Sequence, residues 1–193
     1  FSIRLDPTFM VAAELTSHDP QTITYRIRPD ARWSDGTPIT AADFHYLWRN
    51  RNGTNPRIDT VTTVGYDRIK QVTGSADGKT VTVVFDQRFA DWQTLFANLL
   101  PAHYVGQQPG GWNRGLDKHP EDIPSGGPFK IAGFRRGETL TLARNDQYWA
   151  GKPFLDSISF QTVPSRVAGV GLGIIHPFAV ATETSGLLVS GRA

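Results

Sequence analysis

The stretch ARWSDGTPITAADFHYLW, Ala31 to Trp48, leaves the backbone few options. Asp35-Gly36 is a turn pair, because Gly takes φ > 0 without steric cost and Asp hydrogen-bonds its own backbone. Thr40 reads as a helix N-cap, with Asp43 at N3 as the short form of a capping box. Ile39 and Phe44 fall at N′ and N4, the positions of a hydrophobic staple. Phe44, Leu47 and Trp48 recur at i, i+3 and i+4, so they share one buried helical face. A strand end, a tight turn and a helix start are therefore written into eighteen residues. Most of this corner is architecture.

The rest of the chain reads as mixed α/β. Thr22 to Arg28 alternates as a half-buried strand. After Trp48, RNRNGTNPR is a polar loop that ends the helix. Ile69 to Thr73 and Val81 to Phe85 flank an Asp77-Gly78 hairpin turn. Trp92, Leu95, Phe96 and Leu99 predict a second amphipathic helix from about Asp91, closed by Pro101. Gly106 to Pro124 is a long irregular crossing of the kind that carries function or joins subdomains. Phe129 to Phe134 and Glu138 to Arg144 form a hairpin about RRGE. A Gly-Lys-Pro turn and another alternating strand follow within YWAGKPFLDSISFQTV. No repeat appears, and helices do not alternate with strands regularly enough for a Rossmann fold or a barrel. Trp33, Trp48, Trp92 and Trp149 each sit at a core phase of their element, which favours a structural role over a stacking site.

Composition excludes several functions. Net charge is only +2, and basic and aromatic residues form no stripe, so nucleic acid is not an expected partner. The absence of cysteine excludes disulfides and thiolate metal sites. The five histidines are scattered, with no HExxH pair, and His45 reads as an exposed helix residue. There is no GxSxG elbow and no Walker A sequence. GVGLG at Gly169 to Gly173 lacks the third glycine at the spacing of a dinucleotide loop, and no acidic residue follows about 20 positions on. No carboxylate pair sits in an apolar setting that would separate two pKa values. The expectation is a binding protein rather than an enzyme, with no cofactor or metal. No signal peptide is visible at Phe1, and a mature or trimmed extracytoplasmic protein would start in the same way. The run Val167 to Thr182 is too short and too broken to span a membrane.

YRIRPDARWSDGTPITAADFHYLW strongly resembles the signature of the extracytoplasmic solute-binding proteins of family 5, the peptide, nickel-chelate and oligosaccharide receptors of ABC importers. The matching residues are Arg28, Trp33, Ser34, Asp35, Gly36, Pro38, Thr40, Ala41, Asp43 and Phe44. Ser125 to Phe160 is similar to the family's Gly-Pro-aromatic strand, its hairpin and its Arg-Asn-x-x-Tyr-Trp-x-Gly-Lys-Pro block. Between them, LLPAHYV at Leu99 to Val105 matches the Pro-x-His segment. The resemblance covers roughly Thr22 to Pro164 and is closest to an actinobacterial lipoprotein branch.

The resemblance implies the first lobe of a type II periplasmic-binding-protein fold, with a mixed sheet and hairpins. Residues 1–124 would be the extra subdomain of that lobe, 125–166 the start of its main sheet, and 167–193 an atypical tail, foreign, frame-shifted or truncated. Family members are much longer and close two lobes around a ligand. The residues after the first helix, Tyr46, Arg49, Asn50, Arg51 and Asn55, would lie toward that cleft. There Arg49 and Arg51 would meet a carboxylate or phosphate, or else remain solvated loop arginines. Ser125, Gly126 and Gly127 would mark re-entry into the main sheet, where glycine permits close approach of a ligand or simply makes a turn. The function implied is an extracytoplasmic, envelope-associated solute-binding component of an ABC importer, with peptides favoured as ligand and permease subunits as partners. Any membrane contact would be through a lipid anchor. The alternative is an envelope lipoprotein that keeps the receptor fold as a regulator or scaffold in glycolipid assembly. The apolar tail is expected to pack against the Phe129–Val163 sheet region, or the chain to self-associate.

Overall fold

In the computed structural model the described residues are 10–117, 119–162, 180–181 and 187–192. Alternation in the strand β2 (Gln21–Ile27) turns Ile23, Tyr25 and Ile27 onto one fully buried face. β1 (Met10–His18), which is not among the strands expected from sequence, pairs antiparallel with it. On the other side lies β4 (Thr80–Phe85), and the expected hairpin at Asp77-Gly78 joins it to β3 (Ile69–Gly74). The first sheet therefore runs β1-β2-β4-β3.

Helix α1 (Ala41–Arg51) packs on this sheet, with Phe44 and Leu47 buried. Its start is as the sequence dictates. Thr40 takes an extended conformation, its side chain accepts from the Ala42 N–H at 3.3 Å, and Asp43 Oδ2 accepts from the Thr40 N–H at 2.9 Å. Ahead of the helix, Gly36 sits at φ 87° and the Thr37 N–H donates to Asp35 Oδ1 at 3.0 Å. The helix runs three residues beyond the expected end at Trp48, so Arg49, Asn50 and Arg51 form its last turn rather than a loop.

The expected helix from Asp91 to Leu99 does not form. Trp92–Thr94 makes a single 3-10 turn, Leu95 is extended, and Phe96 adopts φ 59°. That left-handed residue turns its ring into the core, where its centroid lies 5.0–5.6 Å from the rings of Phe44, Tyr66 and Tyr25. The Phe96 N–H donates to the Tyr66 hydroxyl at 2.9 Å. The i, i+3, i+4 spacing thus marks inward-facing residues, but on a broken backbone. Short helices follow at Ala102–Val105 (α2) and Gly111–Arg114 (α3), and another 3-10 turn at Pro120–Asp122 interrupts the irregular crossing.

The second sheet contains β5 (Phe129–Arg135), β6 (Thr139–Arg144), β7 (Ser157–Thr162), β8 (Val180–Ala181) and β9 (Leu187–Arg192), in the order β5-β6-β7-β9-β8. Part of the tail therefore lies along this sheet as expected, with Arg192 opposite Ser157 and Leu187 opposite Thr162. The GVGLG stretch lies outside the described residues. No residue of β5, β6 or β7 is fully buried, whereas β2, β3 and β4 supply much of the core. Among the described residues, no helix is long and apolar enough to cross a membrane.

Candidate functional site

Because α1 buries Phe44 and Leu47, the opposite side of the helix faces out, and a groove of about 600 Å³ runs along it. Its floor is the helical stripe Ala41, Ala42, His45, Tyr46, Arg49 and Asn50. Thr54, Asn55 and Ile58 build one end. Val72 and Gly74 of β3 and Ala102 of α2 complete the lining. The loop that follows α1 is pinned to α3: Trp112 Nε1 donates to the Asp59 carbonyl at 2.9 Å, and Asn113 exchanges two hydrogen bonds with Arg57 and Asp59. The Trp112 ring also lies 6.1 Å from that of Tyr46.

The polar chemistry of the groove is asymmetric. Asn50 donates its amide to the Tyr46 carbonyl at 2.7 Å, and Asn55 Oδ1 accepts from the Arg57 N–H at 3.0 Å. Each side chain is thereby oriented while its other amide atom stays available. Burial and then the Arg49 charge push the His45 imidazole below its ordinary pKa. Burial raises the Tyr46 phenol. Four of the sequence-predicted residues, Tyr46, Arg49, Asn50 and Asn55, therefore line one groove. His45, read from sequence as an exposed helix residue, is half-buried and lines it too. The i, i+1, i+4, i+5 spacing of His45, Tyr46, Arg49 and Asn50 is the sequence signal that groups them.

The other four candidates lie elsewhere. Arg51 projects from the inner side of the last turn, with its guanidinium 5.5 Å from the centre of the Tyr66 ring. Ser125 to Gly127 join the two sheets. The Ser34 N–H donates to the Ser125 carbonyl at 2.8 Å, the Ser125 N–H returns a bond to Ser34 Oγ at 3.0 Å, and Ser125 Oγ donates to the Phe129 carbonyl at 2.7 Å. A Cβ at Gly126 would stand 3.1 Å from the Trp33 ring, so the close approach that glycine allows here is to that indole. The Gly127 carbonyl accepts from the amide of the buried Asn145 at 3.0 Å.

One wall of the groove depends on a buried carboxylate. Asp43, 3% exposed, accepts from the Thr40 N–H, from Trp33 Nε1 at 3.4 Å and from the Ala102 N–H at 3.0 Å. Burial raises its pKa although these donors oppose it. Next to Ala102, His103 Nε2 lies 2.7 Å from Asp35 Oδ2. The Trp-Ser-Asp-Gly and Pro-x-His segments, far apart in sequence, are hydrogen-bonding partners.

Residues 7–172 match the model of the bacterial extracellular solute-binding proteins, family 5 Middle. This chain belongs to that family. The match extends past the expected Thr22–Pro164 at both ends. Over 148 residues the chain is 42% identical to the probable monoacyl phosphatidylinositol tetramannoside-binding protein LpqW of Mycobacterium tuberculosis, covering 75% of this chain and 22% of LpqW. It is 30% identical over 202 residues to the oligopeptide-binding protein OppA of Mycobacterium bovis, covering 97% of this chain and 34% of OppA. Among solved structures, the periplasmic EDTA-binding protein EppA superposes with a TM-score of 0.82 at 35% identity, over 90% of this chain and 34% of that one. The expected mixed α/β fold of the type II periplasmic binding proteins is thereby established, and the resemblance to the actinobacterial branch holds. The chain spans about a third or less of the length of these relatives.

Proposed function

We propose that this chain is part of an extracytoplasmic receptor that binds peptides for the permease subunits of an ABC importer. In this reading Tyr46, Arg49, Asn50 and Asn55 contact the ligand, while Arg51 and Ser125 to Gly127 hold the frame that carries them. The observation that carries the reading is the family match over residues 7–172. The oligopeptide-binding relative supports peptides as the ligand class, and a lipoprotein among the relatives supports an envelope location through a lipid anchor. Binding energy in such a receptor comes from desolvating a ligand in a concavity, with a few polar groups fixing its orientation.

The 42% identity to LpqW favours a second reading, an envelope protein that recognises a phosphatidylinositol mannoside and acts as a regulator or scaffold. Native mass spectrometry of the chain, offered a pool of short peptides and separately phosphatidylinositol mannosides, decides between them. Retention of peptides is the expected result. Retention of the glycolipid alone would replace the first reading with the second, and retention of neither would reject both.

A further inference from the structure

This inference rests on the receptor reading above and concerns the chemical group that the outer face of α1 recognises. The groove lining contains one permanent cation, Arg49, one titratable base, His45, and no carboxylate. Among the described residues, ion pairs hold Arg28 and Arg144 but not Arg49. Arg51, on the same turn, is committed to the Tyr66 ring. Arg49 is also exposed, so its guanidinium is accessible beside a half-buried imidazole and a half-buried phenol.

We propose that this groove is an oxyanion subsite, in which Arg49 takes the carboxylate or phosphate of a small solute between His45 and Tyr46. A guanidinium presents a planar fork of donors that matches two oxygens of either group, and it keeps its charge at all relevant pH values. The Asn55 amide, whose oxygen is already held by the Arg57 N–H, supplies a further donor at the same end. Ala41, Val72 and Ile58 offer apolar surface to the remainder of the solute. A carboxylate on the wall would compete for Arg49, and none is there. Arg49 from its own helix is the charged group that acts on His45, the Trp48 ring lies 5.5 Å from the imidazole, and the groove lining supplied by β3 and α2, Val72, Gly74 and Ala102, is uncharged. An anion bound at Arg49 therefore stabilises the imidazolium without competition.

The test is NMR titration of the isotope-labelled chain with citrate and with inorganic phosphate, in about 0.1 M NaCl to screen diffuse attraction. The bound probe is expected to shift the Arg49 side-chain signals and to raise the His45 pKa, because a nearby anion favours the charged ring. Arg49→Gln should weaken binding about tenfold, by loss of a charge-assisted pair. Arg136→Gln, at an exposed arginine outside the lining, should change it by less than about twofold. Binding of citrate alone assigns the subsite to carboxylates, and binding of phosphate alone assigns it to phosphate esters. Shifts spread evenly over exposed arginines, an unmoved His45, or an Arg49→Gln variant that binds normally would each overturn the proposal. A short peptide with a free C-terminus and its amidated form separate the two levels. Equal binding of both in the groove leaves the receptor reading intact and removes the oxyanion subsite. Citrate or phosphate at Arg49 with neither peptide bound keeps the subsite and removes the peptide reading.

Discussion

His103 Nε2 lies 2.7 Å from Asp35 Oδ2, closing a span of 68 residues between the turn before α1 and the start of α2. Burial works to raise the Asp35 pKa, but the Thr37 N–H and His103 outweigh it and hold the carboxyl below its ordinary value. A depressed folded-state pKa contributes stability that is complete above the unfolded value of about 4 and is lost as pH falls through the folded value. Denaturant unfolding of the chain should therefore show an acid limb below about pH 4. Asp35→Asn should flatten that limb. An identical limb in the variant would place the acid sensitivity in other carboxylates.

Asp43→Asn tests the buried carboxylate in the opposite sense. Its pKa is raised by burial, so charge alone predicts a gain on neutralisation. Geometry predicts a loss. Both Asp43 oxygens accept from backbone N–H groups, and an asparagine must turn its NH₂ toward one of those donors. The expected net cost is about 1–3 kcal/mol, the range for a buried polar group left unpaired. A variant as stable as the parent would show that the three donors matter less than the relief of burial.

Thr40→Ala removes the acceptor for the Ala42 N–H and half of the capping box. The expected loss is about 1 kcal/mol, measured by urea unfolding. A change under about 0.3 kcal/mol would mean that tertiary packing of Phe44 and Leu47 alone fixes the helix start.

Local and long-range features differ sharply in how legible they are in the sequence. The corner from Ala31 to Trp48 is legible because its turn, cap and staple are contacts between near neighbours. The segment from Asp91 is not, because an aromatic cluster formed by Tyr25, Phe44 and Tyr66 holds Phe96 in a conformation that its own residue type disfavours. Arg51 illustrates a signal that was present and cut short. Phe44, Leu47 and Arg51 follow one helical period, so extending the helix to the Asn52-Gly53 end carries Arg51 inward. Asp35 with His103, and Asp43 with Ala102, pair across 68 and 59 residues, and only the fold shows that the motifs meet.

Removing residues 167–193 should strip β9 from β7. Unpaired edge strands exchange their amides quickly and recruit other chains. The truncated chain is expected to show faster exchange over Ser157–Thr162 and a greater tendency to self-associate in sedimentation. Unchanged exchange and an unchanged sedimentation profile would contradict the β7–β9 pairing.

In the proposed receptor the outer face of α1 contacts a solute. A short peptide titrated into the labelled chain, with every backbone amide followed by NMR, tests it most directly. In the proposed receptor a second lobe would complete the enclosure, so binding to this chain alone should be weaker than micromolar. Saturating shifts are expected, centred on Tyr46, Arg49, Asn50 and Asn55, with Ser125 to Gly127 unmoved. Shifts centred on Ser125 to Gly127, or no saturable shift at the groove at millimolar peptide, would contradict it.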